Sequence, residues 1–255
     1  MAAFLERRNL AITMRCNRLV SIAAISGALL LFAGTYLHPM SADPNVPLAA
    51  FMEYAADQHW VSSHLMQFSG IALMVAALVL VSRALVSPRI AASSGSPGNP
   101  ESPGSKNDVA NAAATLAAAG AIASLAATAA LQAIDGVALK AMVNAWAAAA
   151  QRDKESLFHA AFAVRQLETG LASISALLFG LTVSLFGIAL LLDPRFPKWL
   201  GTIAIVGGAP TAVAGVVIAY TGFSGLAMAI DMPAGFLLLC WMIALGVYFW
   251  RRPAL

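Results

Sequence analysis

The chain carries four histidines, and the residues around them have the chemistry that is easiest to name. Glu53, Asp57, Trp60 and His64 fall at i, i+4, i+7 and i+11, so an unbroken helix would align them in one stripe. Two carboxylates and an imidazole on one face can bind a divalent metal or relay protons. The candidate metal ligands are therefore Glu53, Asp57 and His64. His38, which precedes Pro39, and His159 stand elsewhere in the chain. If they face His64, pairs of imidazoles could grip a haem iron or a copper ion, which makes His38, His64 and His159 the candidate cofactor ligands. His59 falls near the apolar stripe of Leu48, Phe51, Met52 and Ala55 and reads as a packed or hydrogen-bonded histidine. The plainer reading of Glu53 and Asp57 is a solvated acidic face beside an interfacial tryptophan.

A second group combines charge with position. Arg165 and Glu168 stand at i, i+3 and can pair. Asp135, like these two, lies at the end of an apolar run, where charge is costly unless partnered. Pro210 follows Gly207 and Gly208 in the middle of another run and predicts a kink or an unwound turn. Arg165, Glu168, Asp135 and Pro210 are accordingly candidates for an ion pair or a gate, with a structural clasp and a simple kink as the alternatives.

The elements that position these residues follow from hydropathy. The 255 residues are 60% hydrophobic and 11% charged, with mean hydropathy +0.79. Soluble domains carry about 25% charged residues. This composition implies an all-α polytopic membrane protein. Six stretches approach or exceed the roughly 20 apolar residues that cross a bilayer. They are Leu19 to Leu37, Leu65 to Val81, Ala110 to Ile134, Gly170 to Leu192, Leu200 to Tyr220 and Pro233 to Trp250. The alanine-rich third is the least hydrophobic. The charged, apolar and Arg-containing N-terminal segment resembles a signal peptide, but its apolar run is long and lacks a small-x-small site, so an uncleaved first span is expected.

Basic residues set the orientation. With the N-terminus in the cytoplasm, Arg7, Arg8, Arg15, Arg18, Arg83, Arg89, Lys106, Arg195, Lys198, Arg251 and Arg252 all fall inside. Only Lys140, Arg152, Lys154 and Arg165 fall outside. Both termini are then cytoplasmic, the location is the plasma membrane, and all four histidines share the outer face. Tyr36, Trp60 and Tyr220 stand at the outer interface, and Trp199, Tyr248 and Trp250 at the inner one.

Three regions result. Residues 1–86 hold a basic segment and a two-helix hairpin. Residues 87–108, rich in Ser, Gly and Pro, form a flexible cytoplasmic linker. Residues 109–255 form a four-helix unit with an outer amphipathic segment at about 137–163. Within that segment Leu139, Met142, Val143 and Trp146 share one face, which suits the membrane surface or the cap of the bundle. Asn45 and Pro47 predict a helix start that continues into the second span. Asp231 and Pro233 predict the start of the last helix. Ser173, Gly180 and Gly187, with Gln166, repeat every seven residues and predict a seam for a neighbouring helix.

The two cysteines, Cys16 and Cys240, indicate neither a disulfide framework nor a thiolate metal site. The basic residues do not cluster with exposed aromatics, so nucleic acid is not an expected partner. The bilayer is one partner, and other membrane subunits could be another. The near absence of ionisable groups at mid-depth disfavours a proton-coupled carrier. Walker, GxSxG, HExxH and CxxC motifs are missing, and no nucleophile–base pair identifies an enzyme. The expectation is a helical bundle with an outer His/carboxylate pocket for a metal, a haem or a small solute. The alternatives are an assembly subunit of a larger membrane complex and a solute transporter using Pro210. Reporter fusions test the topology. A periplasm-active phosphatase fused in the segment after His38 should be active, and one fused within residues 87–108 should be inactive.

Overall fold

The computed structural model describes residues 2–86 and 106–252, with side chains from Met14 onward. The stretch 87–105, most of the expected linker, lies outside the described residues. Among the described residues every regular element is helical: α1 (Ala2–Leu37), α2 (Pro47–Ala56), α3 (Trp60–Val86), α4 (Lys106–Gln132), a π-helical turn (Ala133–Leu139), α5 (Lys140–Ala148), α6 (Lys154–Leu192), α7 (Lys198–Thr221) and α8 (Gly225–Arg251). Six helical stretches among the described residues are long and apolar enough to cross a membrane. The third runs unbroken in helical backbone from Lys106 to Ala148.

The spanning helices pack as a closed ring. α1 contacts α3, α3 contacts α4, α4 contacts α6, α6 contacts α7, α7 contacts α8, and α8 returns to α1. Where apolar surroundings give no hydrophobic drive between helices, close approach must come from small residues. Ser173, Gly180 and Gly187 meet this demand by facing α7. Ser173 Oγ donates to Gly215 O at 2.9 Å, and a Cβ on Gly180 would lie 2.3 Å from Ala212 N. Gln166, first in the expected series, is exposed instead. α1 and α3 meet in the same way, with a Cβ on Gly27 falling 2.7 Å from Gly70 O.

Two cores result. The larger fills the end of the ring that holds α3 residues Leu78 to Leu85, with Phe186, Trp241, Leu245 and Phe249 fully buried. The smaller lies at the histidine-bearing end and joins Phe51, Tyr54 and Trp60 to Leu139, Val143, Trp146 and Ala161. The amphipathic face of α5 thus packs on α2 and α6, so this segment caps the bundle. Lys140 secures the cap, its Nζ donating to Tyr54 O, Ala55 O and Asp57 O at the C-terminus of α2. A lysine there complements the unpaired carbonyls of a helix end.

Several expected boundaries move. The helix from Pro47 does not run into the second span. It stops at Ala56, because Asp57 turns extended and its Oδ1 accepts from His59 N at 2.8 Å. An aspartate that captures nearby backbone N–H in this way competes with helix. Asn45 is not the cap of α2, which Val46 precedes; its amide donates to Phe223 O at 2.9 Å. α4 already begins at Lys106, ahead of the span expected from Ala110. The last helix begins at Gly225, capped by Ser224, and carries Asp231 and Pro233 inside it.

The close α6–α7 contact predicts the effect of added volume. Gly180→Ala should cost about 1–3 kcal/mol through overpacking. Gly170→Ala, which meets nothing within 4 Å, should be neutral or gain up to about 1 kcal/mol from helix propensity. Thermal unfolding in detergent checks both.

Candidate metal centre

The site starts from one local hydrogen bond. His64 lies on the second turn of α3 and is 2% exposed. Its Nδ1 is 2.7 Å from Trp60 O, one helical turn earlier. A carbonyl only accepts, so Nδ1 carries the hydrogen and donates it. The ring is thereby oriented with Nε2 toward Asp135 Oδ2, at 2.9 Å. The same tryptophan holds the other side, since its indole Nε1 donates to Asp135 O at 3.0 Å.

Asp135 reaches His64 because the backbone there is a π-helical turn. Such turns add a residue to the helical repeat and are enriched at functional positions. The next residue must be small. A Cβ on Gly136 would lie 2.6 Å from His64 Cβ. Asp135 Oδ1 is buried and, among the described residues, has no hydrogen-bond partner, which is costly for a carboxylate unless something else satisfies it.

His38 completes the cluster from the segment after α1. Its ring packs against Trp60 at 4.8 Å and His64 at 5.0 Å between centroids. Its Nδ1 donates to Pro39 O at 2.8 Å, which leaves Nε2 as the lone-pair nitrogen. Burial, and then the neighbouring His64, hold its pKa below the ordinary 6.5. The ligand atoms of His38, His64 and Asp135 all lie within 4.8 Å of one another.

This arrangement has two chemical uses. Two imidazoles whose Nδ1–H groups are tied to backbone carbonyls, plus a carboxylate, are the outer-shell and inner-shell pattern of a His/Asp metal site. Without a metal, the short His64–Asp135 contact requires one shared hydrogen, because the Nδ1 hydrogen is already committed to Trp60.

A cavity of about 620 Å³ opens beside the cluster, with His38, Asp135, Glu53, Arg165, Glu168 and Asp231 in its wall. Arg165 and Glu168 are both buried and pair within one turn of α6. The guanidinium also lies over the Phe223 and Tyr54 rings, at 5.0 and 5.7 Å. Tyr54 is held as a neutral phenol, its pKa pushed up to about 12 by burial. Glu53 accepts from Ser41 N and Ala42 N, at 2.9 and 3.0 Å, and so pins the segment that carries His38.

The residues expected to act together are thus divided. His38 and His64 meet, and Asp135 joins them rather than Glu53 or Asp57. Glu53 stands in the cavity wall, bonded to backbone. Asp57 ends α2 and does not share a face with His64. His159 is exposed, 3.9 Å from Glu155, and lies away from the other histidines of the cluster. His59 is exposed rather than packed. Pro210 sits inside α7, whose helix continues through it, and is not in the cavity wall. Trp60 and Asp231 were read only as an interfacial ring and a helix cap, and Gly136 was not singled out. The available signal was Ala-Ile-Asp at 133–135, followed by Gly136 inside a helical run and repeated at 229–231.

The fold and the cluster together define a membrane-type helical bundle with a His/Asp group able to hold a metal. No protein-family model, curated protein or solved structure matches the chain.

The depressed His38 pKa fixes a pH dependence. The unfolded imidazole titrates near 6.5, and the folded one at lower pH. Between these values the unfolded chain binds more protons, so stability rises with pH across that window and levels off above it. His38→Gln should flatten this part of the profile, read as the wild-type minus variant difference in unfolding free energy between about pH 5 and 7.5.

Proposed function

We propose that this chain is a multi-pass protein of the plasma membrane that binds a divalent metal ion at His38, His64 and Asp135. Basic-residue asymmetry supports an outward-facing site and cytoplasmic termini. One observation carries the metal reading. Both imidazoles donate Nδ1–H to a backbone carbonyl and present Nε2 to the same small volume as a carboxylate. The orphaned Asp135 Oδ1 supports it further.

The donor set indicates the ion. Two imidazole nitrogens and one carboxylate suit zinc or a similar borderline cation. Three protein ligands leave a coordination position open, which suits a site that also engages a small molecule. Haem receives less support, because the His38 and His64 rings pack on each other and leave no slot for a porphyrin plane between them. A role in assembly with other membrane subunits would rest on the exposed apolar faces alone, which lipid also explains.

Elemental analysis of the purified full-length chain tests this reading. Near-stoichiometric zinc is expected in the wild type and in His159→Ala, and its loss is expected in His64→Ala and Asp135→Asn. Gly136→Ala should weaken binding by about 10–100-fold, as loss of ligand orientation does. Folded wild-type protein that takes up no divalent metal would overturn the proposal.

A further inference from the structure

Below the polar cavity lies a second one of about 290 Å³ in the middle of the helical ring. Every spanning helix contributes to its wall: Leu31 from α1, Met74 from α3, Leu131 from α4, Phe179 from α6, Ile218 from α7 and Leu238 from α8. The lining is mainly apolar, with Thr128, Gln132, Ser175 and Thr211 as isolated polar side chains in the wall and Asp231 at its edge. Phe223 and Asp231 border both cavities, so the two adjoin at that neck. The far end is closed, because Phe186, Trp241 and Leu245 are fully buried in the core that follows along the same helices. The lumen is therefore a blind pocket under a polar chamber and not a continuous pore.

The chemistry of its wall narrows the occupant. A chamber that is apolar over most of its wall favours an apolar group, and burial of each methylene strengthens binding. Along α8 the wall runs from Asp231 to Leu239, about 12 Å at helical rise, which suits one alkyl chain. The polar chamber above carries Asp43, Glu53, Asp135, Glu168 and Asp231 against the one cation Arg165, itself paired with Glu168. That excess of carboxylates disfavours an anionic head. Asp231 can accept a hydrogen bond at the neck. A metal at the His/Asp cluster would take an oxygen lone pair in its open position.

We propose that the two cavities form one site for a single-chain amphiphile with a neutral hydroxyl head. The head lies at the metal, and the tail fills the lumen past Phe223 and Asp231. This rests on the metal reading for the head and on the central lumen for the tail.

Cobalt(II) serves as the metal probe, because its visible absorption reports on what enters its coordination sphere. The full-length chain in amphipol is loaded with cobalt and titrated with decanol and, separately, with ethanol. Decanol is expected to change the spectrum at a concentration at least about tenfold lower than ethanol. Gly235 lines the lumen, and a Cβ there meets nothing within 4 Å, so Gly235→Leu plugs the tail site without a clash at Cβ. This variant should load cobalt normally and lose the decanol response. Ala172→Leu, also in the lumen wall, is the second plug should the first fail to fold. Normal cobalt loading with equal responses to decanol and ethanol, or with a decanol response that survives both plugs, overturns this proposal and leaves the metal site standing. A folded chain that forms no cobalt spectrum overturns the metal reading, and the amphiphile site with it.

Discussion

Trp60 bonds to both halves of the candidate site, and the geometry of the site depends on it. Its carbonyl takes the His64 Nδ1–H and its indole N–H grips the Asp135 carbonyl. Its ring is the surface on which Tyr54, His64 and His38 pack, at 4.2, 4.7 and 4.8 Å. A buried tryptophan needs a partner for its N–H, and here that need fixes the height of the π-helical turn against α3. Rotamer, tautomer and carboxylate position are therefore set by one residue, itself 1% exposed.

Around that point the structure is rigid for a different reason. Glycine and serine at the α1–α3 and α6–α7 contacts bring backbone against backbone. Close-packed interiors leave little room to shift. The flexible alternative, long apolar side chains between helices, would hold His38, His64 and Asp135 less closely. The cavity wall on the α6 side is braced by Arg165, which reaches Glu168, the Phe223 and Tyr54 rings and the Pro44 carbonyl.

Most of the fold was legible because hydropathy and period are local signals. The six apolar runs came from hydropathy, and the outer face of Leu139, Met142, Val143 and Trp146 and the Ser173–Gly180–Gly187 seam came from spacing. What failed was decided by competition or by distance. Asp57 broke the helix because its carboxylate won a backbone N–H, and the stripe of Glu53, Asp57 and His64 was lost with it. The π-helical turn left no periodic trace. The meeting of His38, His64 and Asp135 joins three segments far apart in sequence, and only tertiary packing determines it. Asp135 was read as a charge near the membrane edge, yet its main contact is His64.

The closed ring has a consequence for how the protein is made. Helices enter a membrane in chain order, and the ring cannot shut until α8 lies against α1. Asp231 and Phe223 belong to its last stretch, while His38 and Glu53 belong to its first. The chamber is thus assembled from early and late helices and exists only once α8 is in place. A chain that has not yet inserted α8 would hold His64 and Asp135 together without the wall that Phe223 and Asp231 supply, so closure of the ring and completion of the chamber are the same event.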